Sequence, residues 1–377
     1  MMEKYFNGAV EQLLDGLGNT PFNSFMVRYN GEFRISELPV FGEIRKRTDI
    51  YVATHEFVNG EIAGGYEPYL SVICEMFRKH MTGSFEDFLA GCDVYYLQRP
   101  VILSYFETGV CKREEPVLLD EVEYEQERMI QALENMLFRL SKVCPIAIFL
   151  NHFQYATRST MALTKRLISK ENPNIGLFIG VSDLGSMPEF LIPVWDAIYE
   201  KLDDGSRVYH IGNAETVRKE PERVEETGEV ADEENYRKLT NLVALLDYEQ
   251  ASYLLKKIER RIKFDNLEVA DEMKYKMLHL LGEVSILIQD ISKALEISED
   301  LEKIHLPGKE KDCHFKQDYL VATAYMYQGK LQEALEYTRR ARAAADEMGS
   351  EHGIFLAELM ETQIQMSGWY NIFFCAQ

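Results

Sequence analysis

The sequence predicts an α/β domain with a mostly parallel sheet, followed by an all-α domain of helical repeats. Three observations carry this. Up to about residue 213, short apolar runs alternate with helical periodicity, the pattern of strands joined by helical crossovers. Residues 214–235, "AETVRKEPERVEETGEVADEEN", are dense in charge and nearly empty of large apolar groups, which marks an acidic linker. From residue 236 to 377 the periodicity is helical and small residues recur at matching positions.

The elements follow in order. "SFMVRY" (24–29) reads as the first strand, then "DIYVATHEF" (49–57), "PIAIFL" (145–150), "IGLFIGVSD" (175–183) and "RVYHIGN" (207–213). Each is rich in β-branched or aromatic residues, as a pleated, buried surface requires. Five consecutive apolar residues from Ile146 to Leu150 predict a strand covered on both faces. Helical spacing is clearest at 36–47, 69–80 and 124–142. Asp203-Asp204-Gly205 reads as a turn rather than a metal loop, because no acid-rich spacing follows.

The charge narrows the function. There are 41 basic against 62 acidic residues, a formal charge of −21. Such a surface repels nucleic-acid phosphates and anionic lipid, so no nucleic-acid binding by this chain is expected. None of the six cysteines sits in a C-x-x-C pair, and "MMEKYFNGAV" has no basic-then-apolar leader pattern, which fits a reduced, cytoplasmic protein. No run of about 18 apolar residues is present, so no membrane span is expected.

In the second half, "DYLVATAYMYQGKLQEALEYTRRA" (318–341) places Ala322, Tyr325, Gly329, Ala334, Tyr337 and Ala341 at spacings that suit two antiparallel helices. Gly329 permits the turn, the alanines allow close approach, and the tyrosines fill the groove. This resembles the tetratricopeptide repeat. Weaker echoes carry Gly282 with Ala294, and Ala251; the alanines 251, 294 and 334 stand 43 and 40 residues apart. The resemblance implies a concave protein-binding groove, lined in part by Tyr319, Thr323 and Met326. The end of the chain, "FLAELMETQIQMSGWYNIFFCAQ", reads as a further repeat turning at Gly368. Its apolar Trp369 and Phe373 must pack on the preceding helix pair, on a second copy or a protein partner, or on a continuation of the chain.

The first half resembles the ATPase core of the STAND signal-transduction NTPases. The order is strand "SFMVRY", turn "NGEFRIS", helix "ELPVFGEIRKR", strand "IYVATHEF", "YEPYLSV" (66–72), then "PIAIFLNHFQYATRS" with Gln154 and Ala156 at the "Q-W-A" positions of a "Q-W-A-D-x-x-S" stretch, Tyr155 for its Trp and Ser159 for the later serine. The resemblance covers about residues 20–213, with the repeats following. It implies a P-loop-NTPase-like fold whose nucleotide site would fall on Gly31, Arg34, Ile35, Ser36, Asn151 and His152.

The chemistry of that site is absent. A phosphate loop needs glycine N–H groups, a lysine on the β/γ-phosphates and a hydroxyl on Mg²⁺. Here Gly31 remains, Arg34 stands at the second glycine and Ile35 at the lysine before Ser36. At the end of the third strand, Asn151 and His152 replace the acids that would support Mg²⁺ and orient water. No cofactor is therefore expected, ATP included. A lone histidine at a strand end is more often structural than a catalytic base. Cys313-His314 lacks a second metal-ligating pair, and Arg339, Arg340 and Arg342 read as a solvated helix face. The reading is a catalytically silent regulatory module acting through protein contacts. Alternatives are the sensor part of a larger signalling enzyme, such as a diguanylate cyclase, or of a transcriptional regulator, and an ATPase with an unconventional loop.

Overall fold

The computed structural model describes residues 24–29, 34–35, 42, 44, 46–113, 121–182, 187–211, 231–264 and 269–375. All five expected strands form: β1 (Phe25–Tyr29), β2 (Tyr51–Glu56), β3 (Ile146–Asn151), β4 (Ile175–Val181) and β5 (Val208–Ile211). They build one sheet in the order β2-β3-β4-β1-β5, with every neighbouring pair parallel. Alternation along the strands sorts the side chains. Phe25, Val27, Tyr29, Ala147, Phe149 and Phe178 form a core on one face. Met26, Ile146, Ile148, Leu150, Leu177 and Ile179 face the larger core on the other. Every residue of β3 and β4 is buried, which is why both read as unbroken apolar runs.

Helices that accompany the sheet among the described residues include α1 (Tyr69–His80), α2 (Phe85–Ala90), α3 (Arg99–Thr108), α4 (Val122–Ser141), α5 (Arg158–Lys170) and α6 (Ile192–Asp203). α1 and α4 fall where the periodicity predicts. The short α2 starts on a local cap, Ser84 Oγ accepting the Asp87 N–H at 3.1 Å. α3 and α6 each carry a proline in the first turn, where its missing N–H costs nothing. Of the helix expected over 36–47, residues 42, 44 and 46 are described and helical, and Ile44 is buried.

The chain divides into two compact units. The first holds Met1–Gly228 and returns for Ala244–Asp247; the second holds Glu229–Val243 and Tyr248–Gln377. The returning segment is buried in the first unit at all four residues. Arg113 Nε donates to Ala244 O at 3.1 Å, and Gln126 Nε2 to Leu246 O at 2.6 Å. Asp247 Oδ2 accepts the Ser159 N–H at 2.8 Å, so a buried carboxylate sits on the first turn of α5, where the helix dipole favours an anion.

The second unit is helical: α7 (Glu233–Ala244, whose last residue joins the returning segment), α8 (Tyr248–Phe264), α9 (Asp271–Leu287), α10 (Ile291–Leu301), α11 (Glu310–Tyr327), α12 (Leu331–Met348) and α13 (Glu351–Cys375). The charged run thus ends in a helix at Glu233. From α8 onward each helix packs on the next, and α9 also touches α11, and α11 touches α13. Gly329, at φ 74°, makes the α11–α12 turn. The small positions Gly282, Ala294, Ala322, Ala334 and Ala341 are buried. A Cβ at Gly282 would come within 2.7 Å of Leu320 Cδ2, so glycine there sets the α9–α11 approach. No turn forms at Gly368; α13 runs through it as one helix. An interior glycine costs a helix only about 1 kcal/mol against alanine, which the flanking helix formers offset. Among the described residues no helix is long and apolar enough to cross a membrane.

Candidate functional site at the carboxyl edge of the sheet

In an open parallel sheet, ligands bind beyond the carboxyl ends of the strands. Register brings four such ends together here: Arg28 aligns with Val181 across β1 and β4, and Glu56 with Asn151 across β2 and β3. Phe57 N–H donates to Asn151 O at 3.1 Å, extending the β2–β3 ladder by one residue. Beyond Asn151 the backbone reverses through His152, which sits in the left-handed region at φ 53°. That conformation is unusual for a residue with a Cβ and needs surrounding structure to hold it.

The His152 ring is held from three strands. Its Nδ1 lies 3.4 Å from Tyr29 Oη and 3.3 Å from Ser182 Oγ; its Nε2 lies 4.0 Å from Glu56 Oε1. Gln154, buried, clasps Ser182 with both ends of its amide: Nε2 donates to Oγ at 2.7 Å, and Oε1 accepts the Ser182 N–H at 3.3 Å. Burial pushes the Tyr29 hydroxyl up to about 12, against the lowering effect of the contact with His152, so it stays a neutral donor.

The residues expected to form a nucleotide site take different structural roles at this edge. Arg34 is exposed, and its Nε and Nη2 reach the Glu56 Oε1 oxygen at 3.0 and 2.8 Å. Ile35, at the lysine position, is fully buried in the core with Phe149 and Phe178. It lies over Gly180, where an added Cβ would meet Ile35 Cβ at 3.2 Å. Asn151 is buried at the end of β3. Gly31 and Ser36 lie outside the described residues. Ala156 is buried, and Ser159 Oγ accepts the Tyr66 N–H at 3.2 Å, so the motif serine caps structure. Tyr29, Glu56 and Ser182 were not singled out by sequence reasoning. Their one sequence signal is a polar residue at the carboxyl end of an apolar run.

In the helical unit, Tyr319 is half-buried, and burial with Glu283 nearby pushes its hydroxyl up to about 12. It stacks on Phe315 at 5.8 Å, and Thr323 Oγ1 donates back to Tyr319 O at 2.8 Å. Tyr319 and Met326 pack against Ala334, Met360 and Ile364. Trp369 and Phe373 fall on α13, with side chains outside those described. Glu259, Glu296 and Asp300 gather within 4.8 Å, but Lys263 Nζ reaches all three and Lys293 Nζ reaches two, so ammonium groups already balance the cluster. Comparison with family models, curated proteins and solved structures gives no match for this chain.

Proposed function

We propose that the first unit is a P-loop-NTPase-like core of STAND type that has lost phosphate chemistry, and that the second is a tetratricopeptide-like scaffold. Together they form a regulatory module acting through protein contacts. The observation that carries this reading is the filling of the gap between β1 and β3. Those strands flank β4 and stand about 10 Å apart at roughly 4.8 Å per strand. A working site would place lysine, phosphate and Mg²⁺ there. In this chain Ile35 packs on Gly180, and Tyr29 and His152 span the gap side chain to side chain. Neither an apolar side chain nor a neutral imidazole holds a hard cation.

The recurring small positions of α9–α12 support the repeat reading, and exposed Phe355 and Met366 offer apolar anchors to a protein partner. Purified protein incubated with Mg²⁺-ATP is expected to release phosphate at the blank rate and to give no binding heat. Turnover that disappears in Asn151→Ala would refute the silent-core reading.

A further inference from the structure

The carboxyl edge also carries a constellation that phosphate chemistry does not use. Glu56 ends β2, and His152 and Ser182 directly follow the ends of the neighbouring strands β3 and β4. We propose that Ser182, His152 and Glu56 act as nucleophile, general base and orienting carboxylate in the hydrolysis of small uncharged carboxylic esters.

The roles follow from donor and acceptor capacity. A carboxylate can only accept; Glu56 Oε1, which also accepts Arg34 Nε and Nη2, lies 4.0 Å from Nε2, beyond hydrogen-bond reach in this substrate-free site, and closing that gap would hold the tautomer with its proton on Nε2. That leaves the Nδ1 lone pair toward Ser182 Oγ at 3.3 Å, the state a general base requires. Ser182 has one hydroxyl proton. Gln154 donates to the serine oxygen and accepts from the serine backbone, so the side chain is fixed with its proton left for Nδ1. Catalytic contacts in substrate-free sites run longer than the usual range of about 2.6–3.2 Å and tighten when substrate binds. Tyr29 Oη lies 3.4 Å from the same Nδ1, so in the reacting state its hydroxyl proton points away from the lone pair that Ser182 uses. The left-handed turn at His152 places the ring between β2 and β4, where a regular continuation of β3 would not.

In the reaction, Ser182 Oγ bonds to the ester carbonyl carbon while its proton passes to His152 Nδ1. The carbon–oxygen bond to the alcohol breaks, and the alcohol leaves with that proton. Water then gives a proton to Nδ1 and attacks the acyl carbon, and Ser182 Oγ departs, recovering the proton. The net change is ester plus water to acid plus alcohol. A chain of charge −21 repels anionic substrates, which favours uncharged esters. This inference does not rest on the regulatory reading and would survive its failure.

The test uses the full chain and an uncharged alkyl fluorophosphonate. Here Ser182 Oγ displaces fluoride from phosphorus, and the serine proton passes to His152. Intact-mass spectrometry is expected to show one adduct, mapped to the peptide holding Ser182 and absent in Ser182→Ala. His152→Asn should slow labelling about 100-fold or more, the usual share of a general base. Glu56→Gln should lower the limiting labelling rate at least about tenfold with probe affinity unchanged, and Glu56→Asp should restore it. A buried orienting carboxylate is worth up to ~10⁴-fold, but Glu56 is partly exposed. Folding of each variant is checked by circular dichroism. Folded wild-type protein that takes no label, an adduct on another residue, or full labelling of folded His152→Asn would overturn the proposal.

Discussion

The two units bury themselves by opposite means. In the sheet unit the sealed positions are large: Phe149, Phe178, Ile148, Leu150 and Phe153 are all fully buried. In the helical unit many of them are small: Ala251, Ala322, Ala324, Ala334, Ala341 and Ala345 are as completely covered. A sheet sandwiched between layers leaves wide gaps that only large side chains fill, whereas repeated helix pairs approach until backbones nearly touch. The first unit should therefore be sensitive to truncation and the second to enlargement.

The sharpest test is Phe149→Ala, which empties the centre of β3. It should cost about 3–5 kcal/mol, read as a lower denaturant midpoint for the sheet unit. A loss under about 1 kcal/mol would mean that neighbouring rings close the space, and the contrast would fail on its first side. The converse is Ala334→Trp, which drives a ring into the α12 contact at a cost of roughly 1–3 kcal/mol. Hydrogen exchange should show protection lost in α11–α13 and kept in β1–β5. Unchanged exchange would place Ala334 away from the close contact.

Asp247 sharpens the comparison because its place in sequence and its place in space disagree. It follows the first helix of the helical unit but belongs to the sheet unit. Asp247→Ala leaves the buried Ser159 N–H without its acceptor, a cost of roughly 1–3 kcal/mol. The thermal transition that drops should be that of the sheet unit; a drop confined to the helices would break the assignment.

The smallest effect is electrostatic. The Lys293 ammonium, with Lys263, holds the Glu296 carboxyl below its ordinary value. A lowered carboxyl adds stability above its unfolded value and loses it as pH falls through the folded one. Glu296 is half exposed, so screening limits this pair to roughly 1 kcal/mol or less. Lys293→Met should melt below the wild type at neutral pH, and the difference should close as the solution is acidified below the carboxylate range. A gap that persists in acid would trace to lost packing instead.

The sequence made the strands plain because β3 and β4 are buried on both faces and so carry no polar interruption. The α2 helix escaped notice because six residues hold too few turns for periodicity, and α3 and α6 because proline near each start resembles a break. Gly368 misled for the opposite reason: a glycine suggests a turn, yet helix formers on both sides carry α13 through it. At the carboxyl edge, Asn151 and His152 are legible because they end the apolar run Ile146–Leu150. Glu56 and Ser182 are not, since their meaning lies in parallel register, which joins residues far apart in the chain. Ile35 is an ordinary apolar residue in the sequence, and its burial over Gly180 is not legible there, because that contact depends on a bare backbone in another strand.

The return of Ala244–Asp247 to the sheet unit has a consequence for biosynthesis. All five strands have left the ribosome once Ile211 emerges, but the Ser159 N–H on the first turn of α5 lacks its carboxylate acceptor until Asp247 follows. At about 5–20 residues per second that interval lasts roughly 2–7 s. During it the sites for Leu245 and Leu246 stand open on a nascent domain whose strands are already paired. The newborn chain must wait in that unfinished state with apolar surface showing, which is the moment at which a chaperone would find most to hold.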